Sequence, residues 1–140
     1  MALERFLDTY QRLNRDNLEL LEEIYSTDVR FSDPAHSLAG LAALRGYFVE
    51  LYAHVEHISF DFAEPHASGD QVYVQWVMRL RHPRLNRGAE VAVPGISCLH
   101  FAADGRVDEH RDYFDLGVLL YEQLPLLGPL VRAVKRRFAA

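Results

Sequence analysis

The stretch Ile24-Tyr25-Ser26-Thr27-Asp28-Val29-Arg30-Phe31-Ser32-Asp33-Pro34 carries an amphipathic helix into a short strand and ends on an acid followed by a proline. Leu18, Leu21, Ile24 and Tyr25 recur at helical spacing, with Asp16 or Asn17 as cap, and residues 29 to 32 read as extended. Pro34 disfavours helix at Asp33 and fixes the chain direction after it. A second acid, Asp112 in His110-Arg111-Asp112-Tyr113-Phe114-Asp115, ends the last strand pattern of the chain. Two acids delivered to one apolar cavity point to proton-transfer chemistry.

Outward from this stretch, Leu3, Phe6, Leu7, Tyr10 and Leu13 mark a helix over 2 to 14. Leu41, Leu44, Phe48, Leu51 and Tyr52 mark another after Gly40. The period then changes to two: Ile58, Phe60 and Phe62 alternate with polar residues, Ser68-Gly69-Asp70 turns the chain into a strand over 72 to 81, and strands over 89 to 101 and 106 to 114 meet at Asp104-Gly105. Helices followed by a four-stranded meander make an α+β domain, and Pro94-Gly95 reads as a bulge that bends the sheet. Both faces of the strand from Val72 to Leu80 are bulky, so both are expected to be covered: the inner by helices, the outer by a second subunit, as a homodimer, or by the C-terminal segment.

With 140 residues, 49% of them hydrophobic, the chain fits one domain able to bury a core and still line a pocket. A net charge of -5 argues against a nucleic-acid binder. No run approaches the ~20 apolar residues of a membrane span, so no stable membrane insertion is expected, and no charged-then-apolar leader opens the chain. One cysteine, Cys98, allows no internal disulfide, and the expected location is the cytoplasm. Arg132, Lys135, Arg136 and Arg137 lie beside Leu130, Val131, Val134 and Phe138, either as a last helix whose cations suit its dipole or as a face for an anionic surface.

Helix, helix, strand ending in Asp-Pro, helix and bent meander together resemble the nuclear transport factor 2-like superfamily, and within it the SnoaL-like group. The resemblance implies a cone-shaped, cystatin-like fold over residues 1–127, a basic helical tail over 128–140, an apolar pocket between helices and sheet, and a homodimer through the sheet face. Members include isomerases, cyclases, hydrolases and non-enzymatic binders, so fold alone does not choose among them. The segment from Tyr25 to Pro34 is similar to ketosteroid isomerases, which implies Asp33 as general base, Tyr10 as phenolic hydrogen-bond donor and Ser97 in place of a protonated acid. Arg111 to Leu116 is similar to the closing strand of limonene epoxide hydrolase, which implies Asp112 as a catalytic acid. There the partner acid and arginine fall on Val77 and Gln75, and the water-positioning tyrosine and asparagine on Phe31 and Asp33. Polyketide cyclases carry an acid at the Asp112 position for an aldol-type closure.

Each candidate also has a plain structural use. Asp33 before proline can close an Asx-turn, Tyr10 can be core, and a buried Asp112 needs a partner or a proton. His110, two residues from Asp112 on the same strand face, is the residue placed to tune that acid. Phe31, His36, Gln75, Val77, Ser97, His110 and Phe114 complete the expected ligand contacts. Seven histidines are present, but no third ligand has diagnostic spacing beside His54 and His57, so neither metal nor cofactor is expected. The reading is cofactor-free acid-base chemistry on a small apolar, oxygenated molecule by Asp112, Asp33 and Tyr10, or a binding module with the same pocket.

Overall fold

The computed structural model describes residues 1–125 and 127–139. Helix α1 (Ala2–Arg12) buries Phe6, Thr9 and Tyr10 on one stripe. A 3-10 turn over Leu18–Leu20 then runs into α2 (Leu21–Ile24) and directly into β1 (Tyr25–Ser32). The strand therefore starts at Tyr25 and not near residue 29. Leu21, Ile24, Tyr25 and Val29 are all buried at a spacing that a helix would also satisfy, and it is pairing of Tyr25 with Val107 that makes the backbone extended. Asn17 does not cap the turn with its side chain. It accepts from the Asn14 amide at 2.7 Å and donates to the Arg12 carbonyl at 2.8 Å, which ties the preceding loop together.

After β2 (Ser37–Ala39), Gly40 at φ +92° leads into α3 (Leu41–His54), which buries Leu44, Phe48 and Tyr52. The remaining strands are β3 (His57–Phe62), β4 (His66–Ser68), β5 (Gln71–Arg81), β6 (Val91–Phe101) and β7 (Val107–Phe114). They form one curved, unclosed sheet in the order β2-β1-β7-β6-β5-β3, with β4 on β5. The fold is α+β, with N-terminal helices against the sheet. All pairings are antiparallel except that of β1 with β7.

The bulge expected at Pro94-Gly95 is absent. Pairing of β5 with β6 runs unbroken from Gln71–His100 to Leu80–Val91, through Trp76–Gly95 and Val77–Pro94. The register shifts lie elsewhere, at His100/Phe101 between β6 and β7 and within Tyr25–Arg30 between β1 and β7. Gly95 instead makes room: a Cβ there would sit 2.3 Å from a ring carbon of Trp76.

Asp115 caps α4 (Leu116–Leu119), accepting from the Val118 amide at 3.2 Å. Helix α5 (Leu127–Ala139) packs on the turn Tyr121–Gln123, where Lys135 bonds Asp115 and Glu122 and Arg132 donates to the Glu122 carbonyl. It leaves the outer sheet face open: Tyr73 and Tyr113 are 40% and 52% exposed. No helix among the described residues is long and apolar enough to cross a membrane.

Candidate functional site

Strand alternation decides what the sheet aims at the helices. Val74 pairs with Ser97 and Ser97 with Asp112. Trp76 pairs with Gly95 and Gly95 with Phe114. Val72 pairs with Leu99 and Leu99 with His110. On the far side of β7, His110 faces Phe31 and Arg111 faces Ser32 of β1, so the chain leaving β1 at Asp33 comes up beside the end of β7 that bears Asp112. A cavity of about 430 Å³ opens between this inner face and the helices. Asp33, Asp112, Tyr10, Phe31, His36, Ser97, His110 and Phe114 all line it.

Gln75 and Val77 do not. The even-numbered residues of β5 point inward, so Gln75 is exposed and Val77 half-buried on the opposite face. Their expected contact with a ligand is corrected by one residue of strand parity: the inward neighbours are Trp76 and Met78.

Asp112 stands at the centre of a buried hydrogen-bond chain. Its Oδ1 accepts from Ser97 Oγ at 2.5 Å and bonds His110 Nε2 at 2.6 Å. Ser97 in turn accepts from Trp76 Nε1 at 2.8 Å. On the other side of the imidazole, His110 Nδ1 bonds the Tyr25 hydroxyl at 2.7 Å, and Tyr25 bonds Tyr10. His110 is 2% exposed, Tyr25 1%, and the Asp112 side chain 17%. Burial holds the phenols of Tyr10 and Tyr25 well above their ordinary range, with the Asp112 charge adding to both. Burial in this polar row is tolerable only because every member has a partner.

Asp33 is committed differently. Its Oδ1 accepts from the amides of Ala35 at 2.8 Å and His36 at 2.7 Å, with His36 Nδ1 at 3.2 Å, and its Oδ2 accepts from Tyr47 at 3.0 Å. This is the Asx-turn that an acid before proline can build, with the side chain only 4% exposed. Burial, reinforced by the Asp33 charge, pushes the Tyr47 phenol up.

Toward its other end the cavity is walled by Val55, Leu80, Leu85, Leu119 and Leu120, with His54 and His82 among them. Burial, then His54, holds His82 below the ordinary imidazole range. Neither lysine nor arginine lines the cavity among the described residues, whereas Asp33, Glu50 and Asp112 do. Among those residues no three His, Cys, Asp or Glu side chains are grouped so as to hold a metal ion.

Three members of the site were not singled out in the sequence: Tyr25, Trp76 and Tyr47. Trp76 was visible as an inward residue of an alternating strand. Tyr25 read as helix core, and nothing in the local pattern of Tyr47 announces a bond to Asp33.

The SnoaL-like domain model matches residues 3–110. No curated protein matches the chain. Among solved structures, a protein with a ketosteroid isomerase-like fold from Catenulispora acidiphila DSM 44928, in complex with trimethylamine, is 18% identical over 89% of this chain and 93% of its own, with a TM-score of 0.74. A Jannaschia sp. CCS1 protein assigned as a SnoaL-like polyketide cyclase is 18% identical over 85% and 88%, with a TM-score of 0.73. TerC, co-crystallised with polyporic acid, is 18% identical over 87% and 96%, with a TM-score of 0.72. At such identities the likeness carries the fold alone. With the domain model spanning most of its length, the chain belongs to the SnoaL-like domain family.

Proposed function

We propose that the cavity binds a small, largely apolar molecule and that Asp112 takes a proton from it, in a cofactor-free reaction of the isomerase, cyclase or hydrolase kind. The carrying observation is the convergence of Ser97 and His110 on one oxygen of Asp112, which orients the carboxylate and leaves Oδ2 without a partner among the described residues. Relatives that hold trimethylamine or polyporic acid support a small-ligand site in this fold. Asp33 shares the cavity, but its lone pairs serve the turn, so its part is to shape the rim with His36 and Tyr47. Among the described residues no arginine or lysine lines the cavity to stabilise an enolate, and the anion formed must delocalise within the substrate itself.

That same lack of a cationic stabiliser favours a second reading, a binding module in which Asp112 only orients its ligand. The open outer face of the sheet, carrying Tyr73, Val77, Ile96 and Tyr113, supports a homodimer in either case.

Deuterium wash-in from D2O into 2-acetyl-1-tetralone, a cyclic 1,3-dicarbonyl compound whose enol tautomer bears a hydroxyl, tests the catalytic reading. Wild type should accelerate exchange at the central carbon, Asp112→Asn should lose at least about 100-fold of that acceleration, and Asp33→Asn should lose far less. Equal exchange by wild type and Asp112→Asn would sink the catalytic reading.

A further inference from the structure

Hydrogen-bond accounting around Asp112 fixes what kind of group the cavity accepts. A carboxylate can only accept, so His110 Nε2, 2.6 Å from Asp112, carries the ring hydrogen. In a neutral ring Nδ1 is then an acceptor, and the 2.7 Å bond from it must be donated by the Tyr25 hydroxyl. Tyr25 has spent its one hydrogen, so its bond with Tyr10 is donated by Tyr10. Ser97 has spent its hydrogen on Asp112, Trp76 on Ser97, and Tyr47 on Asp33.

We infer that, among the described residues, this end of the cavity offers only acceptors, chiefly Asp112 Oδ2 and the Tyr10 hydroxyl oxygen, and that its ligand is a hydroxyl-bearing compound that donates to them rather than a ketone that accepts from them. Tyr10 thus plays the opposite part to the donor that likeness to ketosteroid isomerases implies. A ligand that shuts these acceptors off from water without giving them a donor incurs a desolvation cost, so one lacking an O–H forfeits affinity here. Toward its other end the cavity does offer a donor. His82 Nδ1 accepts from the Arg84 amide at 3.0 Å, which leaves the ring hydrogen on Nε2. The titratable and charged groups around the chain are Tyr10 on α1, Tyr25 on β1, Asp33 and His36 after it, Tyr47 and Tyr52 on α3, Cys98 on β6 and Arg111 on the outward side of β7, and the Nδ1 hydrogen of His36 is spent on Asp33.

The inference rests on the ligand-site reading above and deepens it, and two experiments separate their failures. In the first, dissociation constants of 2-naphthol, 2-methoxynaphthalene and 2-acetonaphthone are measured on the full chain near pH 7. Wild type should bind 2-naphthol at least about 10-fold tighter than the other two. In Tyr25→Phe the Tyr10 hydroxyl loses its acceptor and becomes free to donate, so 2-acetonaphthone should gain about 10-fold while retained 2-naphthol binding shows an intact cavity. Equal binding of ketone and naphthol to wild type, or an unmoved ketone affinity in a folded Tyr25→Phe, overturns the inference.

The second reads the wild-type ring directly: 15N-histidine NMR, with the His110 signals assigned by their loss in His110→Gln, should show the Nε2–H tautomer. An Nδ1–H or doubly protonated ring overturns the inference even if Tyr25→Phe does not fold. Naphthol selectivity without deuterium wash-in would sink the catalytic reading and leave this one standing, and the reverse pattern would do the opposite.

Discussion

Gly95 shows how one missing side chain supports the site. Its hydrogen lies where a Cβ would collide with the Trp76 ring, and the indole crosses that space to donate to Ser97. Gly95→Ala is expected to cost about 1–3 kcal/mol in denaturant unfolding and to shift Trp76 fluorescence, because the ring must leave either its rotamer or Ser97. Unchanged stability and emission would show that the strand yields instead. At this scale the sequence was legible where alternation is strict. Trp76, Met78 and Leu80 read as one face, yet carrying family positions onto Gln75 and Val77 put the expected contacts on the other. Homologous positions transferred by motif carry no information about parity once one residue of register is lost. Tyr25 was hidden for a different reason: its hydroxyl finds His110 across 85 positions of sequence, and no local pattern encodes such a meeting.

Among elements, the long strands and the helices α1 and α3 follow their periodicities closely. The boundary between α2 and β1 does not, because the spacing of Leu21, Ile24, Tyr25 and Val29 serves a helix and an irregular strand equally. Only the parallel pairing with β7 decides it, and parallel partners leave no turn signature in sequence. The outer face of β5, β6 and β7 is where an element-level prediction belongs. If this face joins two copies, wild type should sediment as a dimer and Ile96→Lys with Tyr113→Lys as a folded monomer. A monomeric wild type would remove the dimer reading. Helix α5 stays apart from that face, held by Lys135 and Arg132 to the turn at Glu122, with Leu130, Val134 and Phe138 turned to solvent.

For the molecule as a whole, four of the seven tyrosines, Tyr10, Tyr25, Tyr47 and Tyr52, have phenols raised above 10.0, chiefly by burial. Unfolded phenols release their protons near the ordinary value while folded ones keep them, so above about pH 10 the unfolded state binds fewer protons and stability falls as pH rises. A spectrophotometric titration should show fewer than seven tyrosines ionising until a cooperative unfolding step releases the rest. Seven ionising with the circular dichroism of the fold unchanged would contradict this. The overall architecture was legible in sequence because periodicity sets layers. The site was less so, because it is assembled from residues that only the finished sheet brings together.

The parallel pairing of β1 with β7 also allows the acid to be the last part of the site to arrive. β7 is the last strand made, yet it lies between β1 and β6, and it alone carries both His110 and Asp112. During synthesis α1 to α3, β1 and the β3-β5-β6 portion of the meander can gather around an apolar hollow that as yet holds no charge at its centre. The carboxylate then enters together with the imidazole two residues before it, while Ser97 and Tyr25 already wait on the flanking strands. A chain that folds in this order brings the acid to the interior together with its partners and does not bury it alone.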